Sequence, residues 1–224
     1  MKIFSPLTLG QQHNLNRALR VLFNFYEVRG VSKDYLNALR KAIPKDRTGV
    51  DLKIPSEQEI LNSLRKLPYA LMKYQALYHL LLDSGLRLIE AARLINQGKV
   101  KDAVKVKDFY RCTLGYFRGS KLAYVAYFSE ATYALMRQVS EHINERSASH
   151  YFHKYGYVAP KYLRKYAFDK MISLNIPESI ADFIQGRTPK KIGARHYMAL
   201  IRQADNFYMR YAKVLRKMRT QIIP

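Results

Sequence analysis

Between Val104 and Phe128 the apolar pattern changes from helical to strand-like, and it does so once in the chain. Phe109-Tyr110-Arg111-Cys112-Thr113-Leu114 and Leu122-Ala123-Tyr124-Val125-Ala126-Tyr127-Phe128 flank Arg118-Gly119-Ser120-Lys121. Two β-rich runs around a glycine-containing turn predict a hairpin. Apolar residues recur at helical spacing on both sides of it. The expected fold class is therefore mainly α with a small antiparallel β-sheet. Neither an internal repeat nor a low-complexity tract is present.

Gln11 to Ile43 reads as helices. Leu15, Leu19, Val21, Leu22 and Phe25 share one face, and Val31-Ser32 opens a second helix carrying Tyr35, Leu36 and Leu39. Pro44 to Pro55 is polar and bounded by prolines, as a linker is. Ser56 and Glu59 fit a capping box at the head of a helix from Glu57 to about Leu67, followed by another from Pro68 to Ser84. Gly85 stops it, and Leu86 to Ile95 restarts. From Glu130 onward the chain is helical again, with breaks near Gly156–Pro160, Asn175–Pro177 and Gly186–Gly193. We expect a helical segment and linker over residues 1–50 and a larger domain over 51–224.

Charge narrows the function. Lys and Arg number 39 against 17 Asp and Glu, a net +22. Such an excess repels itself in a compact state and calls for a polyanionic partner, nucleic acid first and an anionic membrane surface second. The longest apolar run, Ala76 to Leu82, is too short to span a bilayer, and Met1 to Gly10 lacks a secretory signal. One cysteine, Cys112, leaves no intrachain disulfide and fits a reducing, cytoplasmic setting; it reads as a small apolar strand residue.

Other chemistries find little support. His150 and His153 form an isolated H-x-x-H without an acidic neighbour, short of a zinc ligand set. No P-loop, G-x-G-x-x-G or G-x-S-x-G occurs, and a chain this poor in acids does not suggest paired-carboxylate chemistry. Four basic places remain: Arg87 after the Gly85 turn, where helix N–H groups could help hold a phosphate; the hairpin tip from Arg118 to Lys121; Lys161 and Arg164 on one helix face, beside Lys165; and Gly186-Arg187. Each alone reads as a solvated cation.

Their order resembles that of the tyrosine recombinases, or integrase family, and within it the archaeal virus and plasmid integrases of the fusellovirus type. "SGLRLIEAARL" resembles the first box, with Arg87 as its arginine and Glu90 as the structural acid. "APKYLRKYAFDKMI" resembles the second, with Lys161 at the usual histidine position and Arg164 as the second arginine. "FIQGR" places Arg187 where many members carry His or Trp. In "TPKKIGARHYMALI", Tyr197 falls at the nucleophile position. The hairpin supplies the family's strand lysine, assigned to Lys121; a gap-free reading of the turn places Arg118 there instead. The resemblance covers about residues 57 to 219. Gln11 to Ile43 resembles only the last helices of the family's core-binding domain.

The resemblance implies attack by Tyr197 on a phosphodiester, giving a 3′-phosphotyrosyl link and a free 5′-hydroxyl. Arg87, Arg164 and Arg187 would neutralise the non-bridging oxygens, Lys121 would protonate the leaving oxygen, and Lys161 would stabilise phosphate. Tyr197, whose phenol ordinarily titrates near about 10, needs help from nearby cations or a base. Arg118, Lys165, Lys190, Lys191 and Arg195 would contact DNA, and His196 would be structural or DNA-contacting. Neither metal nor cofactor is implied. The partners implied are double-stranded DNA and further copies of the chain, as a dimer or tetramer on DNA, with no membrane. The product would be integration and excision of a viral or plasmid genome. A type IB topoisomerase-like relaxase and a non-catalytic basic DNA-binding protein are the alternatives. The stretch from Met198 to Met218, apolar on one face, would either pack on its own core or dock on a neighbouring protomer.

Overall fold

A computed structural model describes residues 7–45, 51–118, 121–187 and 199–222, without the side chains of residues 117, 118 and 121. The chain folds as two compact units, Met1–Leu52 and Lys53–Pro224.

The first unit holds two helices, α1 (Leu9–Val28) and α2 (Lys33–Ala42). Thr8 caps α1 in a capping box with Gln11, so the helix starts ahead of the first residue expected in it. Arg40 ties the pair together, bonding Asn24 and Glu27 of α1. Among its described residues only Asn16 and Leu36 are buried.

The second unit carries the core. It runs α3 (Glu57–Lys66), α4 (Met72–Ser84), α5 (Leu88–Asn96), β1 (Val104–Val106), β2 (Phe109–Arg118), β3 (Lys121–Ser129), α6 (Glu130–Arg137), α7 (Glu145–Lys154), α8 (Pro160–Ser173), α9 (Glu178–Ile184) and α10 (Leu200–Thr220). Ser56 and Glu59 form the expected capping box at the start of α3. The next helix begins at Met72 rather than Pro68, because Leu67–Tyr69 closes a short 3-10 turn around Pro68. A break after Arg137 separates α6 from α7 and has no proline or glycine to announce it; Asn144 caps α7 through its side chain.

The sheet is mainly the expected hairpin with one strand added. Order is β1-β2-β3, antiparallel throughout, with Val106 opposite Phe109 and Arg118 opposite Lys121. The strands therefore extend to the two basic residues assigned by sequence to the turn. A register shift between Thr113 and Tyr116 accommodates Gly115 at φ +60, a conformation open to glycine at little cost.

α4 is apolar on nearly every side and is buried accordingly, packing against α5, α6, α8 and β3. A helix of that kind can only be central. Its C-terminal end carries a buried carboxylate, Asp83, which accepts from Ser129 N, Ser129 Oγ and Thr132 Oγ1 at 2.9, 2.9 and 2.6 Å and pairs with Arg219. Tyr208 and Tyr211 of α10 donate to the carbonyls of Asp83 and Leu82 at 3.0 and 2.8 Å. Asp205 accepts from Tyr127 and pairs with Arg111 of the sheet. The apolar face of α10, with Ala204, Tyr208, Tyr211, Leu215 and Met218 buried, thus packs on its own core. Each large apolar side chain fully buried in this way contributes about 2 kcal/mol.

Candidate active site

Two chain reversals meet at the end of α4. Gly85 ends the helix at φ +61, and a Cβ there would lie 2.4 Å from Gln185 Nε2. Gly186, at φ +67 after α9, is pressed against β3, where a Cβ would stand 2.8 Å from that of Ala123. Arg164 of α8 bridges the two turns: its Nη1 donates to the carbonyls of Gly85 and Gln185, both at 2.6 Å, and Gln185 Nε2 donates back to the Arg164 carbonyl at 2.8 Å. The glycines are needed because the turns interlock with no room for a side chain.

Arg87 is the residue before α5. Its backbone N–H donates to Glu90 Oε2 at 3.1 Å, and its Nη1 donates to Glu90 Oε1 at 2.6 Å and to the Gly186 carbonyl at 3.0 Å. Glu90 thereby caps its helix and orients the guanidinium. Arg187 follows directly: its N–H donates to the Asp182 carbonyl at 2.8 Å, its Nη1 pairs with Asp182 Oδ1 at 3.3 Å, and its guanidinium lies 4.8 Å from the Phe168 ring centre. The Arg187 side chain remains partly open to solvent.

These three guanidinium groups feel one another. Burial, then the charges of Arg187 and Arg87, push Arg164 down to about 9, partly offset by Glu90 and Asp182. It stays charged at neutral pH. Arg164 Nη2 is buried without a hydrogen-bond partner among the described residues. Leaving a charged donor unsatisfied is costly, and an anion is the ligand that would relieve both the orphaned donor and the repulsion.

Lys161 lies one turn before Arg164 on α8, exposed, with its ammonium 4.4 Å from the Tyr162 ring centre. Lys165 donates to the Lys53 carbonyl at 3.2 Å and also approaches Tyr162, at 5.6 Å. Lys53, which the sequence leaves inside a linker, approaches the same ring at 5.1 Å. Arg118 and Lys121 are the last pair in register, at the end of the hairpin where β2 passes to β3; their side chains lie outside the described part of the structure. So do Tyr197, Lys190, Lys191, Arg195 and His196. Among the described residues, no group of three or more His, Cys, Asp or Glu side chains is placed to hold a metal ion.

Gly85, Gln185 and Gly186 lie inside the quoted motifs, but sequence reasoning assigns them no role in the site, and Asp182 lies outside every motif. A glycine just past an apolar helix, in each of the two motifs, is the signal available for the turns.

Residues 52–214 match the family of archaeal phage integrases, and the chain belongs to that family. It is an integrase, an enzyme acting on DNA, and DNA is its partner. No curated protein sequence is significantly similar to the chain. Among the described residues no helix is long and apolar enough to cross a membrane.

Proposed function

We propose that this integrase is a site-specific tyrosine recombinase, cutting and rejoining DNA through a 3′-phosphotyrosyl intermediate formed at Tyr197. The observation that carries the reading is the meeting of Arg87, Arg164 and Arg187 around the Gly85 and Gly186 turns, with a buried guanidinium nitrogen left unsatisfied.

In this reading the scissile phosphate takes the place of the missing acceptor. Planar guanidinium forks suit the non-bridging oxygens of a phosphodiester, and their hydrogen bonds tighten as charge accumulates there in the transition state. Tyr197 Oη gives up its proton to solvent or a nearby base as it attacks phosphorus, the bond to the 5′-oxygen breaks, and the leaving oxygen takes a proton from Lys121. Lys161 adds positive charge at the phosphate. The phosphotyrosine stores the bond energy, so a 5′-hydroxyl of the same or another strand reverses the step. Rejoining to a different duplex, in an assembly of several copies, gives integration or excision of a viral or plasmid genome. Residues 51–224 would form the catalytic domain and residues 1–50 the end of a core-binding segment, working on DNA in the host cytoplasm.

A duplex nicked beside the cleavage position tests this, because loss of the short fragment prevents rejoining and traps the enzyme. The wild-type chain should give a covalent adduct and Tyr197→Phe should give none while still binding the duplex. An adduct formed by Tyr197→Phe overturns the assignment.

A further inference from the structure

Away from the three arginines, α7 presents a second surface that joins cations to aromatic rings. Arg146, His150 and Lys154 recur every fourth residue and are all exposed, about 6 Å apart along the helix by its rise. They border an open groove of about 450 Å³ with Tyr74, Tyr151 and Tyr155. The rings pack in series and are tilted against one another: Tyr74 to Tyr151 is 4.4 Å between centres at 36°, and Tyr151 to Tyr155 is 4.6 Å at 47°; Tyr74 is buried, so the series ends at the surface in Tyr155. Tyr155 is 50% exposed, and Lys154 lies 5.3 Å from its centre. Lys73, next to Tyr74, is engaged by Glu141. Tyr74 stands 11 residues before Gly85 along α4, roughly 16 Å away by helical rise, so this groove is distinct from the arginine site.

Exposed cations flanking an exposed aromatic ring are the arrangement that holds single-stranded nucleic acid, with phosphates at Arg146 and Lys154 and a base stacked on Tyr155. A duplex could use the cations but would leave the rings idle, since its bases are already stacked on each other. A net charge of +22 favours a polyanion of either kind. We infer that the α7 groove binds one unpaired strand of nucleic acid, with Tyr155 as the outermost stacking ring and Arg146 and Lys154 as phosphate contacts.

Tyr155 is exposed, so substituting it does not open the core. The test uses the full chain carrying Tyr197→Phe, which keeps every interaction non-covalent and makes the readout independent of the cleavage chemistry. Fluorescence anisotropy with a labelled oligothymidylate and with a duplex of the same length reads the two affinities. Tyr155→Leu should weaken single-strand binding about tenfold, duplex binding by less than about twofold, and Tyr155→Phe should restore the first. Arg146→Ala with Lys154→Ala should make the salt dependence of single-strand binding shallower by about 1.4 in log–log slope, two contacts at roughly 0.7 each. Unchanged single-strand affinity in Tyr155→Leu, equal loss for both ligands, or an unchanged salt slope in the double variant overturns the inference.

Discussion

Arg87 donates from Nη1 to the Gly186 carbonyl at 3.0 Å, joining residues 99 positions apart. The first and third arginine segments are thus one hydrogen bond from each other, and the same Nη1 also donates to Glu90 Oε1 at 2.6 Å. Arg87→Lys should keep a charge but lose the fork. We expect cleavage of a nicked duplex to fall by about 10²–10³, the cost of losing one well-placed donor, with a far smaller effect on duplex affinity. Single-turnover cleavage and a binding isotherm measure the two separately.

Glu90 is nearly buried and is satisfied by Arg87. Glu90→Gln should therefore retain most of the stability but loosen Arg87, whereas Arg87→Ala strands the carboxylate. Chemical denaturation should show Arg87→Ala destabilised by about 2–3 kcal/mol, and the double change Arg87→Ala with Glu90→Gln should recover part of that.

Gly85 and Gly186 make the site possible through the side chains they lack. Gly85→Ala meets Gln185 at 2.4 Å and is strained at φ +61. The backbone alone costs about 1–2 kcal/mol, and the overlap pushes Gln185 away from Arg164. Both stability and cleavage should drop, and Gln185→Ala added to Gly85→Ala should relieve the overlap but not the backbone strain, so that the two losses are less than additive and cleavage is not recovered.

His79 is half-buried beside Arg219 and Asp83; desolvation first, then the Arg219 charge, hold it at about 3. A group whose folded value is depressed contributes stability that is complete above its unfolded value and is lost as pH falls. The unfolded chain takes up a proton below about 6.5 while the folded chain does not until about 3. Stability should thus decline between these limits, by about 2 kcal/mol from roughly pH 6.5 to 5. Urea midpoints measured across that range should show the decline in the wild-type chain and its loss in His79→Gln.

Much of this was written in the sequence, and what was not has a physical reason. Periodicity revealed the central helix and the hairpin because burial and pleating leave their period in the chain. β1 falls within the strand-like stretch that begins at Val104 but was not separated as a strand, because Val104-Lys105-Val106 is too short to show a period, and the α6–α7 break escaped because a side-chain cap leaves no glycine or proline. The order of Arg87, Arg164 and Arg187 was legible, but not that their positions depend on carbonyls of Gly85, Gln185 and Gly186, since a backbone acceptor has no residue type. The two fates open to the C-terminal helix could not be separated by composition. Arg219 reaching Asp83, 136 positions away, decides for the chain's own core.

The most direct test of the account is to find the residue that becomes bonded to DNA. Wild-type protein trapped on a nicked duplex, digested with protease and nuclease and sequenced by mass spectrometry, should yield one modified peptide with a nucleotide phosphate on Tyr197. A phosphate on any other residue, or no covalent peptide from a protein that has demonstrably cut the duplex, would contradict it.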